Sequence, residues 1–174
     1  GMTWDFNYTF SKSLDESSGL QTGDSFGSTF VLNAFHLRDQ RSYSDFDLRH
    51  VINFNGVWDV PLGRGRKFGK NMNKFLDVLV GGWTLSNVFR WDSGYPFDGF
   101  YDGTGWQTNW NVRSYMTMLR KVKTGTYKTA NGVNLFADPA QAVTAWRTPH
   151  PGETGSRNAI RMPGTWNIDL GIAK

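Results

Sequence analysis

Strict alternation of apolar and polar residues in two stretches of the chain limits its fold more than any other feature. In residues 50–60 the even-numbered positions include Ile52, Phe54 and Trp58, while the odd-numbered positions carry Val, Asn and Asp. Residues 83–92 repeat the pattern, with Trp, Leu and Phe on one face and Thr, Ser, Arg and Asp on the other. Because successive side chains of a β-strand point to opposite faces, both stretches are predicted to be strands. Each is long enough for a tilted strand to cross a bilayer, which requires about 9–11 residues.

Two further stretches, near residues 3–12 and 165–173, alternate in the same way, so four antiparallel strands are predicted. The connections between the strands differ in length. Residues 61–82 form the shortest connection. Residues 13–48 and 97–164 are rich in polar and turn-forming residues, and we predict that they form long loops.

Short elements are predicted within these connections. Residues 28–32 have the composition of a short strand. Apolar residues at helical spacing predict an amphipathic helix over residues 71–80, which the following pair of glycines would end. We expect this helix either to pack on the sheet or to lie at an interface. Asp138 at a cap position, followed by a proline, predicts a second helix that runs through Arg147.

The distribution of charge and tryptophan on the strands favours a membrane sheet over the core of a soluble sandwich. A Lys or Arg that faces lipid at mid-bilayer costs about 2–4 kcal/mol, whereas one that faces the lumen does not. The apolar faces carry no charged residue between the strand ends, and the charges lie on the opposite faces, at Asp5, Asp59, Arg90, Asp92 and Asp169. The tryptophans near the strand ends form two groups, with Trp4, Trp58 and Trp83 at one rim and Trp91 and Trp166 at the other. Because aromatic girdles mark the two interfaces of a bilayer, the apolar faces are predicted to contact lipid.

The predicted fold class is therefore all-β, with antiparallel strands from part of a transmembrane β-barrel of the bacterial outer membrane and long loops that carry short helices. By the usual asymmetry of such barrels, we expect the short connection on the periplasmic side and the two long ones on the extracellular side. Four strands cannot close a barrel, and an open sheet edge is not viable in lipid. Residues 1–174 are therefore expected to be a segment of a longer protein. The alternative is a soluble β-rich binding module that buries its aromatic face against itself or a second copy.

Several stretches resemble the C-terminal barrel region of TonB-dependent outer-membrane receptors, specifically the Oar-like group with a carboxypeptidase-regulatory-like N-terminal domain. The stretches keep the order of that family and span most of the chain. They are residues 8–15 (YTFSKSLD), 44–50 (SDFDLRH), 60–66 (VPLGRGR), 79–83 (LVGGW), 93–97 (SGYPF), 155–158 (GSRN) and 166–170 (WNIDL). The resemblance implies a barrel that imports a bulky ligand with energy relayed from the inner membrane by the TonB system.

The same resemblance implies further partners, namely outer-membrane lipid, the rest of the receptor barrel and a plug domain upstream. We expect the plug and the final strands of the barrel to lie outside this chain. Met162 stands where the family usually has a glycine before Pro163 and Gly164. The matching stretches are structural, so the resemblance supplies neither catalytic residues nor a cofactor.

Aromatic residues in the longest connection are the candidates for ligand binding. Tyr101, Trp106, Trp110 and Arg113 place aromatic rings near a guanidinium group, a combination that can bind saccharides or peptides. The alternative is that these side chains only pack the loop. The sequence therefore predicts a ligand-binding loop without specifying the ligand.

Other classes of function have little basis in the sequence. The chain has no cysteine, so neither disulfides nor thiolate metal sites can form. No run of Lys or Arg indicates nucleic-acid binding, and His36, His50 and His150 are too scattered for a catalytic or zinc constellation. The acidic groups around Asp15 and Asp45 lack the spacing of a calcium loop, so we expect them to be solvated. No enzyme activity, metal or cofactor is predicted.

Overall fold

A computed structural model of the protein describes residues 1–18, 33, 35–101, 114–130 and 132–174. The chain divides into two compact units. The first, here called the sheet unit, comprises Gly1–Phe10, His50–Asp92 and Thr165–Lys174. The second, here called the loop unit, comprises the described parts of Ser11–Arg49 and Ser93–Gly164.

The described residues are dominated by strands. In chain order the strands are β1 (Met2–Phe10), β2 (Leu14–Asp15), β3 (Ser42–Tyr43), β4 (His50–Asp59), β5 (Thr84–Asp92), β6 (Pro96–Phe97), β7 (Phe100–Tyr101), β8 (Ser114–Tyr115), β9 (Thr117–Met118), β10 (Tyr127–Thr129), β11 (Gly132–Asn134), β12 (Trp146–Arg147), β13 (Ile160–Arg161) and β14 (Thr165–Ala173). The helical elements are a 3-10 helix (Leu37–Gln40), α1 (Lys74–Val80) and α2 (Pro139–Val143). Among the residues that the structure describes, no helix is both long and apolar enough to span a membrane.

The sheet unit contains one four-stranded antiparallel sheet in the order β1-β4-β5-β14. These are the four strands that the alternating pattern predicts. Each pairs with the long strand that precedes or follows it along the chain. β1 ends at Phe10, two residues earlier than expected, because Ser11 begins the long connection of the loop unit. The mostly antiparallel strands and few helices confirm the predicted fold class, and the described sheet does not close into a barrel.

The connection between β4 and β5 contains α1. This helix begins at Lys74, where the side chain of Asn73 caps it by accepting a hydrogen bond from the amide of Phe75 at 3.1 Å. It ends at Gly81, as predicted, although it starts later than the expected residue 71. No residue of α1 is buried, so the alternative in which the helix packs on the sheet is wrong.

The loop unit consists of short two-stranded ladders instead of one sheet. The pairs are β2 with β3, β6 with β13, β7 with β8, β9 with β12, and β10 with β11. The expected strand within residues 28–32 lies outside the described residues. β2, β3 and the 3-10 helix show that the predicted loop at 13–48 is partly regular.

The second predicted helix is shorter than expected. The side chain of Asp138 accepts a hydrogen bond from the amide of Gln141 at 3.0 Å, which confirms the predicted cap. The helix ends at Val143 and does not reach Arg147. Its predicted end was wrong because Trp146 and Arg147 form β12, which pairs with β9.

Candidate membrane-facing surface and ligand-binding loops

The register of the four long strands places the apolar residues of the sheet unit in rows on one face. Phe6, Phe54, Phe89 and Ile168 are cross-strand neighbours and form a middle row. The other rows are Met2, Trp58, Leu85 and Ile172; Trp4, Gly56, Asn87 and Leu170; and Tyr8, Ile52, Trp91 and Trp166. None of the residues in these four rows has a charged side chain. The face is therefore a continuous uncharged surface.

This face is not the core of a globular unit. The side chain of Phe6 is 56% exposed and that of Leu170 is 71% exposed. Leaving large apolar side chains in water forgoes about 1.5–3 kcal/mol for each. The described chain provides no cover for the edge strands, so we expect a surface outside the described chain to cover them.

The opposite face of the sheet is polar. Asp5 lies beside Asn55, and Asn53 lies beside Arg90. On β14 the amide of Asn167 donates a hydrogen bond to Asp169 at 3.1 Å. A sheet with one uncharged face and one hydrated face is the arrangement of a barrel wall between lipid and a lumen.

The tryptophans occupy the ends of the apolar face. Trp91 and Trp166 are cross-strand neighbours in the last row, as the rim assignment requires. At the other end Trp58 is in the first row, and the carbonyl of Trp83 accepts from the amide of Val60 at 2.9 Å. Trp4 lies one row further inside than that rim. The first and last rows are six residues apart along each strand, or about 20 Å at the usual rise per residue.

A comparison with protein families distinguishes a membrane barrel from a soluble binding module. A family model for an outer membrane beta barrel domain matches residues 1–174. The chain belongs to the outer membrane beta barrel domain family. The barrel domain is therefore located in the bacterial outer membrane. The chain has no significant match to a curated protein or to a solved structure.

The structure describes the backbone of one of the four predicted ligand-binding residues of the barrel domain. Trp106, Trp110 and Arg113 lie outside the described residues. Tyr101 is in β7, where its backbone pairs with Ser114 of β8. The strands of this short ladder precede and follow, in the sequence, the segment that contains the other three residues. Their association in one binding site remains a prediction.

The loop unit of the barrel domain contains a buried ionic cluster around Arg157, which is 5% exposed. One guanidinium nitrogen lies 2.7 Å from a carboxylate oxygen of Asp15, and the other donates to Ser18 at 2.5 Å and to Asp45 at 3.2 Å. Asn158 adds two bonds, to the carbonyl of Tyr43 at 2.7 Å and to Asp45 at 2.8 Å. This cluster joins the two long connections.

The cluster corrects the expectation that the acidic groups are solvated. Asp47 is buried and forms an ion pair with Arg161, while Asp15 and Asp45 are partly buried beside Arg157. Burial raises the pKa of Asp15, but hydrogen bonds from Ser44 and Arg157 outweigh it, so this pKa lies below its ordinary value. Within the described ranges, no group of three or more His, Asp and Glu side chains could hold a metal ion.

A buried carboxyl group adjoins this cluster. Asp98 is 5% exposed, and one of its oxygens accepts from the amide of Asn158 at 3.1 Å. Burial raises the pKa of Asp98 to about 6, with the charge of Asp45 adding to the effect. Burial likewise raises the pKa of Tyr115 to about 12, which keeps this phenol neutral.

A groove rich in cations and aromatic surface is a feature that sequence reasoning missed. Its lining includes Tyr43, Arg49, Lys121 and Arg161. The guanidinium groups of Arg161 and Arg49 lie 5.0 Å and 5.2 Å from the centre of the Tyr43 ring. Arg49 also donates to the Tyr43 hydroxyl at 2.6 Å. Arg49 belongs to the receptor-like stretch at 44–50, so there was some indication of this part of the groove in the sequence. The residues that Arg49 meets there, such as Lys121 and Arg161, are too distant in sequence to be inferred from spacing.

Proposed function

We propose that this barrel domain is part of a TonB-dependent outer-membrane receptor of the Oar-like group, which imports a bulky ligand. The observation that carries the proposal is the ordered set of receptor-like stretches across the chain, together with the uncharged face of its sheet. Three of these stretches, at 8–15, 44–50 and 155–158, supply the ionic cluster that joins the long connections. The proposed role is transport and not catalysis.

The open edges of the sheet support further partners. β1 and β14 each have an outer edge without a neighbouring strand in the described chain. Unpaired backbone groups are not viable in hydrocarbon, so we propose that strands from the rest of the receptor barrel pair with both edges. A plug domain and the TonB system complete the proposed assembly.

Chain connectivity supports one orientation in the membrane. The connection within the hairpin of β4 and β5 is the shortest, and the long connections follow β1 and β5 at the same end of the strands. Because periplasmic turns of such barrels are short and extracellular loops long, we propose that α1 is periplasmic and that the loop unit is extracellular.

The proposed ligand is a saccharide or a peptide, bound by the extracellular connections. Tyr101, Trp106, Trp110 and Arg113 remain the proposed contacts, and the groove around Tyr43 offers a ring between cations for the same kind of ligand. A soluble binding module is not favoured, since the described chain leaves its aromatic face uncovered.

Ligand uptake by cells that carry the intact receptor tests the transport proposal. Growth on a panel of saccharides and peptides should depend on both the receptor gene and a functional TonB system. Uptake that persists without TonB would contradict the proposed mechanism. Deleting residues 99–115 in the intact receptor should then weaken binding of the identified ligand, and unchanged affinity would remove this loop from the site.

A further inference from the structure

The connection between β4 and β5 exposes apolar side chains that nothing in the described chain covers. Phe75 is 84% exposed and Leu79 is 71% exposed, and the other exposed apolar residues are Phe68, Leu76, Val78 and Val80. Helices shorter than about 12 residues are marginal in water unless another surface stabilises them. Since α1 has seven residues and none is buried, a surface outside the described chain has to stabilise it.

The polar side of α1 is fixed against the preceding turn. One carboxylate oxygen of Asp77 accepts from the amide of Arg64 at 2.6 Å, and the carbonyl of Asp77 accepts from the amide of Gly81 at 2.8 Å. Gly63 has a φ of 124°, and a Cβ there would lie only 2.9 Å from the Cα of Gly81. The turn and the helix are therefore held together with the apolar side of α1 facing away from the turn.

The C-terminal end of α1 is continuous with the lipid-facing surface of the sheet. Trp83 continues the alternation of the apolar face, and its indole nitrogen donates to the carbonyl of Leu79 at 2.8 Å. The amino group of Lys174 lies 4.8 Å from the centre of the Trp83 ring. Tryptophan and lysine at a strand end are typical of the bilayer interface, where the ring stays at headgroup depth and the lysine reaches water.

The same connection carries an excess of positive charge. Within residues 61–82, Asp77 is the single acidic residue. The five basic residues are all exposed, and they are Arg64, Arg66, Lys67, Lys70 and Lys74. Clusters of exposed cations beside an amphipathic helix are attracted to anionic lipid headgroups. The positive charge and the exposed apolar surface of this connection thus both indicate a bilayer with anionic lipids as the partner.

We propose that this connection is an interfacial lipid-binding element. α1 lies in the plane of the bilayer surface with Phe75 and Leu79 among the upper acyl carbons, and the basic turn binds the headgroups of anionic phospholipids. The inference rests on the periplasmic orientation proposed above, because the phospholipid leaflet of the outer membrane faces the periplasm.

Spin labels can measure the depth of α1 directly. The chain has no cysteine, so single cysteines can be introduced as Phe75→Cys and Leu79→Cys in the intact protein reconstituted into phosphatidylglycerol and phosphatidylcholine vesicles. We expect both labels to be accessible to oxygen dissolved in the bilayer and protected from a water-soluble nickel reagent, at about 5–10 Å below the headgroups. Asn71→Cys, an exposed polar position of the same connection, is the matched control and should remain accessible to nickel.

A label at Leu170→Cys separates this inference from the membrane placement of the sheet. If Leu170 is in lipid while Phe75 and Leu79 are accessible to nickel, the lipid-binding element is wrong and the barrel assignment stands. If Leu170 is also accessible to nickel, the membrane placement itself is wrong. Protection of Phe75 and Leu79 from both reagents would indicate a protein partner and would equally overturn the lipid assignment.

Headgroup preference tests the basic turn. We expect the triple variant Lys67→Gln, Lys70→Gln and Lys74→Gln to lower the preference for spin-labelled phosphatidylglycerol over phosphatidylcholine by about tenfold or more. The matched control removes three exposed lysines of the loop unit, as Lys121→Gln, Lys123→Gln and Lys128→Gln, and should retain the preference. An unchanged preference in the first variant, or an equal loss in both, would overturn the proposal.

Discussion

The sheet unit and the loop unit of this barrel domain differ in the side chains that they bury. The sheet unit exposes a continuous face of Phe, Trp, Leu and Ile, and the buried apolar residues of the described chain, which are Ala142, Ala145 and Ile160, all belong to the loop unit. The loop unit also buries charged and amide groups, including Asp47, Asp98, Arg157 and Asn158. The sheet unit thus depends on an external apolar phase, whereas the loop unit depends on internal pairing of polar groups.

The largest effect is expected where the loop unit loses the centre of its ionic cluster. The variant Arg157→Leu leaves partly buried carboxylates without their partner, so it should destabilise the loop unit by about 3–5 kcal/mol. Hydrogen exchange of the intact protein should show faster exchange at β2 and β3. The matched control is Arg147→Leu, whose partner Glu153 is more exposed, and it should destabilise the loop unit much less. Equal effects of the two variants would contradict a special role for the buried cluster.

A charge on the apolar face tests the sheet unit. Ile168 lies in the middle row, so Ile168→Arg should lower the free energy of unfolding in lipid vesicles by about 2–4 kcal/mol. Its sequence neighbour Asn167 faces the polar side, and Asn167→Arg should change stability much less. Denaturant titration of the intact barrel measures both values. The lipid-facing assignment fails if the variants are destabilised equally.

The pH dependence of the two units should also differ. Since the pKa of Asp98 is raised to about 6 in the folded state, the folded loop unit binds more protons than the unfolded chain between about pH 4 and 6. Its stability should therefore fall as pH rises through this window, by an amount on the order of 3 kcal/mol. The variant Asp98→Asn should remove this dependence while keeping an acceptor for the amide of Asn158.

Protonation of Glu153 sets the lowest pH at which the effect of Asp98 can be measured separately. Hydrogen bonds from Arg147 lower the pKa of Glu153 to about 2, so the stabilising contribution of Glu153 is lost only as pH falls below its ordinary value. Exchange rates in the loop unit should be compared between pH 4.5 and 7. A dependence that persists in Asp98→Asn would show that another group is responsible.

The smallest effects are expected at the helix caps. Removing either cap, as Asn73→Ala in the sheet unit or Asp138→Ala in the loop unit, should cost about 1 kcal/mol. α2 buries Ala142, whereas α1 buries nothing, so the amides of α1 should respond more strongly to cap removal in detergent. A larger response in α2 would contradict the difference between the two helices.

Sequence patterns predicted the sheet unit better than the loop unit for a physical reason. The long strands have one apolar face and one polar face, so each residue from Ile52 to Trp58 indicates by its polarity the face to which its side chain points. Two-residue strands such as β12 are too short to show a period, and ladder pairing there overrode the helix expected through Arg147. The Asp138 cap was predictable because it depends on residues close in sequence.

The ionic cluster around Arg157 in the loop unit was harder to predict from the sequence. Arg157 contacts Asp15 and Asp45 over long separations in the chain, and nothing in the local spacing of these residues indicates that they meet. The acidic groups were therefore expected to be solvated. These residues lie in the stretches at 8–15, 44–50 and 155–158 that resemble a receptor family, and that resemblance did not specify a role for them.

The central claim is that the apolar face of the sheet contacts lipid, and accessibility along β14 tests it most directly. Single spin labels at each position from Thr165 to Ala173, in the intact protein in bilayers, report contact with lipid or water. The account predicts a period of two, with Trp166, Ile168, Leu170 and Ile172 accessible to oxygen in the bilayer and the residues between them accessible to aqueous nickel. Uniform protection of both sets, or access of nickel to the apolar positions, would contradict it.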